Sequence, residues 1–224
     1  MSKNLFLDFE TNTAGDFYVA GYFFGGKFSQ VVLTPALDGL ASEKNLLKFT
    51  PKEFCLEILE SINGEEGLIL AYSNAELETI LNIFDGSEDI LIGVKYCNLA
   101  KASRSWVSKC QSEKFDNLPP LVIGANSYYQ KRHRRSLASI SRLIDFPAPA
   151  DYAIGKTTSR FNSVINALKL REQDFKKLTA VQKAKATKAL KHNRYDVEAI
   201  VRLYEVINRE DPGIIKRATR KIVS

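Results

Sequence analysis

Three apolar, aromatic and β-branched runs fill the start of the chain, and they constrain the fold more than any other feature. They are Asn4 to Phe9, Phe17 to Phe24 and Phe28 to Leu33, and Gly25-Gly26 lies between the last two. Two strand-like runs around a Gly-Gly pair signal a hairpin, because tight hairpin turns need positive φ, which glycine enters freely. The three runs together predict an antiparallel β-meander.

Helix follows. Thr50-Pro51-Lys52-Glu53 supplies an N-cap threonine, a proline at the first helical position and a reciprocal glutamate. Phe54, Ile58, Leu59 and Ile62 then fall on one stripe. Leu68 to Ala71 reads as a short strand bounded by Gly67, and Ala75 to Phe84 as helix. The order β-β-β-α-β-α predicts an α/β fold with a mixed sheet. Beyond it, Asp89 to Cys97 fits strand or helix. Phe115 to Tyr129 reads as loop around Pro119-Pro120 and Gly124, and Ser136 to Ile144 as a short helix closed by Asp145-Phe146-Pro147. Pro147 to Gly155 reads as a linker and Thr158 to Arg171 as helix. Thr179 to Asn208 carries a long helical pattern, opened by Thr179 with Gln182 three residues on.

A chain of 224 residues with 45% hydrophobic and 26% charged residues can bury one core, alone or with a small appendage, so we expect a single domain over 1–224. Its C-terminal part, from about 157, reads as basic and helical. No apolar run approaches the roughly 20 residues that span a bilayer. The N-terminus lacks the basic-then-apolar layout of a secretory signal. The expectation is a cytoplasmic protein with no membrane partner. Cys55, Cys97 and Cys110 form no C-x-x-C pair and only two histidines are present, which favours reduced, buried thiols over a zinc site or disulfides.

Charge divides the chain. Residues 1–100 carry 6 Lys+Arg against 15 Asp+Glu, whereas residues 160–224 carry 16 against 7. A basic surface concentrates polyanions; it is equally a solvated face or a seat for a protein partner, whose identity the sequence leaves unknown.

Three segments carry the candidate chemistry. In LFLDFETNT, Asp8 and Glu10 sit two apart on a strand and share one face. They read either as ligands for a hard cation such as Mg²⁺ or Mn²⁺, or as acids at a strand end that has reached solvent. In YSNAELETIL, Glu76 is either a ligand or the acid of a Ser73-x-x-Glu76 capping box. In KHNRYDVEAIVRLYEVI, Leu190, Val197, Ile200, Tyr204 and Ile207 form a core stripe, and Arg194, Glu198, Arg202, Glu205 and Arg209 a solvent face with i, i+4 pairs. His192 and Asp196 lie one turn apart beside the stripe, as site residues or as a surface histidine and a salt-bridging aspartate.

FLDFET, then YSNAE at a strand–helix junction, then HNRYDVEAIVRLYE near the C-terminus resemble the DEDD exonuclease group of the ribonuclease-H-like superfamily. The closest likeness is to its YprB-like or RecB-associated branch. RRSLASISRLIDF is similar to the helix that precedes the last motif in that branch.

The resemblance implies a ribonuclease-H-like mixed five-stranded sheet, a β-meander followed by βα units, flanked by helices. It implies two Mg²⁺ or Mn²⁺ ions on Asp8, Glu10, Glu76 and Asp196, and hydrolysis of DNA or RNA from the 3′ end by a two-metal-ion mechanism. Thr11 matches the threonine that often follows the first motif. His192 stands where the Tyr-type pattern has tyrosine, one residue off the histidine of the His-type pattern. It is either the general base, if it titrates near neutrality, or a neutral replacement. Tyr195 lies about 100° around the helix and is a poorer substitute.

Lys131, Arg132, Arg134 and Arg135, with Tyr128 and Tyr129, read either as a nucleic-acid grip or as a solvated loop. Lys183, Lys185, Lys188 and Lys191 read as its extension or as a solubilising face. A structure-selective endonuclease on the same fold and a non-catalytic nucleic-acid-binding module are the alternative functions.

Overall fold

The computed structural model describes residues 4–12, 14–62, 67–84, 89–119, 121, 135–152 and 156–222. β1 (Asn4–Thr11), β2 (Phe17–Phe24) and β3 (Lys27–Val32) form the expected antiparallel meander. Gly25 and Gly26 make the hairpin turn at φ 58° and 84°, the positive region that tight turns require. β5 (Leu68–Ala71) runs parallel to β1, and β6 (Lys95–Asn98) parallel to β5.

Two further strands extend the edges: β4 (Leu47–Lys48), which follows the short helix α1 (Asp38–Lys44), on β3 and β7 (Thr219–Lys221) on β6. The sheet therefore has seven strands in the order β4-β3-β2-β1-β5-β6-β7, not five. Strands of two and three residues are too short to carry an alternation, which is why the sequence does not reveal them.

Period-two alternation in β1 sorts the two faces of the sheet. Leu5 and Leu7 join Ile69 and Tyr96 against α2 (Pro51–Ile62) and α3 (Ala75–Ile83), through Phe54, Ile58, Leu59, Leu77 and Ile80. Phe6 joins Leu70 and Cys97 on the other face. There it meets α4 (Leu99–Cys110) and a 31-residue helix, Ala180–Glu210, through Trp106, Val197, Ile200 and Leu203. Asp8 and Glu10 follow Phe6 at steps of two, so they lie on the long helix's side.

Leu99–Cys110 is a helix that the sequence reading did not place. Its inward positions (Leu99, Ala102, Ser103, Trp106 and Val107) have helical spacing, but Ala and Ser add little apolar signal. Trp106 Nε1 donates to Glu210 at 2.6 Å and Lys109 pairs with Asp211 at 2.5 Å, fastening this helix to the end of the long one. Asp89 to Cys97 splits into a 3₁₀ turn, Asp89–Leu91, and the strand β6. On the long helix, Glu198 pairs with Arg194 at 2.7 Å, while Arg202 lies over the Phe146 ring. All three cysteines are free; Cys55 and Cys97 are buried as expected, but Cys110 is exposed. No helix among the described residues is long and apolar enough to cross a membrane.

Both expected capping boxes form. The Thr50 N–H donates to Glu53 at 2.8 Å and the Glu53 N–H to Thr50 at 3.2 Å. At the start of the long helix, the Thr179 N–H donates to Gln182 Oε1 at 3.0 Å and the Gln182 N–H to Thr179 Oγ1 at 3.3 Å. Thr179→Ala is expected to lower the unfolding free energy by about 1 kcal/mol. That loss is readable as a shift in urea midpoint at constant slope; an unshifted midpoint would deny the cap any weight.

Candidate metal centre

β1 pairs with β2 as far as Thr11, but with β5 only from Asn4 to Phe6. Beyond Phe6 the carboxyl ends of the two parallel strands stand apart. Crevices outside the carboxyl ends of strands, where the strand order reverses direction about β1, are the usual ligand sites of open α/β sheets. Asp8 and Glu10 occupy this stretch. α3 begins just beyond β5 and carries Glu76, while the long helix crosses above and carries Asp196.

Asp8, Glu10 and Asp196, each half-buried, bring one carboxylate oxygen apiece within 4.8 Å of one another. Burial and crowding raise all three above the ordinary carboxyl range. For Asp8 burial acts first, then Glu10, Asp196 and Glu76; for Glu10 burial, then Asp196 and Glu76. Asp196 is pushed up to about 7 by burial and then by Glu76. Among the described residues we find no lysine or arginine ion-paired with any of the three. An all-oxygen set of crowded carboxyl groups fits a hard divalent cation such as Mg²⁺ or Mn²⁺.

Glu76 stands outside this group of three, and the N-cap of α3 is Asn74 with no side-chain cap bond, so the Ser73-x-x-Glu76 capping box weighed for it is not what starts the helix. Its carboxylate accepts from the Ser73 hydroxyl at 3.0 Å, and its charge reaches Asp8, Glu10 and Asp196. Burial raises its own pKa.

His192 is buried beside Asp196. Its Nδ1 is 2.8 Å from the Thr157 hydroxyl and its Nε2 is 3.5 Å from Asp196. Its ring stacks on Tyr152 at 5.4 Å between centroids. Burial, and then the Arg160 charge, lower its pKa to about 4. A histidine titrating near neutrality is therefore not what the fold provides; the imidazole stays neutral at physiological pH because its pocket is too dry to solvate a cation. Tyr195 is turned into the core: it donates to the Phe146 carbonyl at 2.9 Å, meets Ser141 at 2.8 Å and stacks on Phe146.

Thr11 follows an irregularity in the β1–β2 pairing, and its carbonyl accepts from Thr158 at 3.1 Å. Thr158 belongs to the helix Thr157–Lys169, so this bond ties that helix to the end of β1. Arg135 is exposed and its carbonyl accepts from Tyr72. Tyr128, Tyr129, Lys131, Arg132 and Arg134 lie outside the described residues. Lys183 and Lys185 donate to neutral acceptors, the Lys176 carbonyl and the Ser163 hydroxyl.

One polar residue at the site escaped the sequence reading. Asn193 is completely buried and its amide donates to Asp8 Oδ2 at 2.7 Å. The signal was there: Leu190, Asn193 and Val197 share the core stripe at i, i+3 and i+7, and a lone amide in such a stripe needs a partner. No family model, curated protein or solved structure matches this chain.

Proposed function

We propose that this chain is a divalent-metal-dependent phosphodiesterase, acting as a 3′–5′ exonuclease on DNA or RNA. The observation that carries the proposal is the convergence of Asp8, Glu10 and Asp196 within 4.8 Å, with Glu76 in electrostatic reach. Supporting it, the inner strand order β3-β2-β1-β5-β6, with only β2 antiparallel to the rest, is the arrangement expected of a ribonuclease-H-like sheet. The basic C-terminal third suits a polyanionic substrate.

In this proposal Asp8, Glu10 and Asp196 hold the first of two cations, and Glu76 supplies the charge that makes room for a second. When bound, Mg²⁺ or Mn²⁺ supplies Lewis-acid activation of water and stabilises the leaving oxygen. His192 keeps a neutral ring beside Asp196. Held by Thr157 and Tyr152, it orients the attacking water through a hydrogen bond rather than by storing its proton.

The test is release of mononucleotides from end-labelled single strands. We expect release with Mg²⁺ or Mn²⁺, none with a chelator, and no attack on a circular strand, on which an exonuclease cannot start. Cutting of the circle would move the assignment to an endonuclease. Salt-sensitive binding with no cleavage and no cation uptake would leave a nucleic-acid-binding module instead.

A further inference from the structure

A row of three residues crosses the sheet beneath the long helix. Asp8 on β1 pairs with Gly21 on β2, and Gly21 with Gln30 on β3. Residues paired across neighbouring strands present their side chains on one face. The middle member has none, so the row contains a gap between Asp8 and Gln30. The Asn193 amide fills that gap: a Cβ at position 21 would lie 2.2 Å from Asn193 Oδ1. A glycine inside a strand here serves close approach, not a turn.

The hydrogen bonds set which way the amide faces. Gln30 Nε2 donates to the Leu190 carbonyl at 2.9 Å and to Asn193 Oδ1 at 2.8 Å. A carbonyl can only accept, so Gln30 must turn its NH₂ to Leu190, and Asn193 must then turn its oxygen to Gln30. Its NH₂ is left for Asp8, where it reaches Oδ2 at 2.7 Å and the main-chain carbonyl at 3.2 Å. Two bonds from one amide, to a side chain and to its own backbone, hold the carboxylate in one orientation relative to β1.

We propose that Asn193, seated over Gly21 and directed by Gln30, is a positioning residue that orients the Asp8 carboxylate for cation binding. The inference rests on the cation centre proposed above. Groups that orient a metal ligand typically change metal affinity 10- to 100-fold when removed.

Calorimetric titration of the metal-free full chain with Mn²⁺ tests it. Asn193→Leu, close in volume, removes the donor. Gln30→Glu leaves Asn193 in place but, as the ionised carboxylate, offers it only acceptors, so at a pH where that carboxyl is ionised the amide turns its NH₂ to Glu and its oxygen to Asp8. The second variant also adds a negative charge, which by electrostatics alone would tighten cation binding or leave it unchanged. The positioning role requires the opposite: Mn²⁺ affinity weaker by about 10- to 100-fold in both variants, with cooperative melts retained. If wild type binds Mn²⁺ and folded Gln30→Glu binds it equally or more tightly, the positioning role is overturned while the cation centre stands. If wild type itself takes up no Mn²⁺, the cation centre fails and the inference falls with it.

Discussion

Asp196→Asn is expected to cut cation-dependent cleavage severely and, in the metal-free protein at pH 8, to raise the melting temperature rather than lower it. Both effects have one origin. Asp196 shares a small crevice with Asp8 and Glu10, and burial together with Glu76 lifts its pKa from an ordinary 3.8 to about 7. Keeping that group charged above pH 7 costs the metal-free fold on the order of 4 kcal/mol. Asparagine has nearly the same shape and no charge, so the cost disappears. For a chain of this size the gain corresponds to a rise of on the order of ten degrees.

Cleavage should fall by roughly a thousandfold or more, about 4 kcal/mol of lost transition-state stabilisation, because a neutral amide is a poor ligand for a hard cation. Calorimetric melting and a nucleotide-release assay on the same preparation check the two halves. A variant that melts lower and still cleaves would contradict both.

The metal-free protein is also expected to lose stability as pH rises from about 4 to about 7. An acid whose pKa is higher in the folded state than in the unfolded one holds its proton more tightly when folded. Raising the pH through that window therefore favours unfolding, and above about 7 the whole Asp196 penalty is present. Asp8, Glu10 and Glu76, all raised, act in the same direction as Asp196.

His192 acts in the opposite sense. Its folded pKa of about 4 lies below the ordinary 6.5, so its contribution is lost as pH falls through that interval and recovered as pH rises. The difference between wild type and Asp196→Asn reports Asp196 together with its action on the groups it touches, His192 at 3.5 Å among them. That difference should widen between pH 4 and pH 7 in urea titrations. Saturating Mn²⁺ should close much of the gap at pH 8, since a ligand at a thousand times its Kd adds about 4 kcal/mol to the folded state that binds it. A difference that is flat with pH would show that the carboxylates do not crowd one another in solution.

Where local chemistry decides structure, the residues spoke for themselves. The Thr50 and Thr179 capping boxes, the strand Leu68–Ala71 and the hairpin at Gly25-Gly26 all depend on neighbours within a few positions. The edge strands Leu47–Lys48 and Thr219–Lys221 do not: each exists because a neighbouring strand offers unpaired backbone groups, and nothing within two or three residues records that. Gly21 is a similar case. In the sequence it is a weak spot in a strand, and only the helix above it gives the missing side chain a purpose.

The sequence by itself determined that Asp8 and Glu10 share a face and that His192 and Asp196 lie one turn apart, because alternation in a strand and winding in a helix are local regularities. The tertiary structure alone decided that these two pairs meet, that Glu76 stands a step behind them, that Asn193 grips Asp8 and that His192 stays neutral. Closeness between the two ends of the chain, and the loss of water around a titratable group, are properties of the whole packed core, and no short stretch of residues contains them.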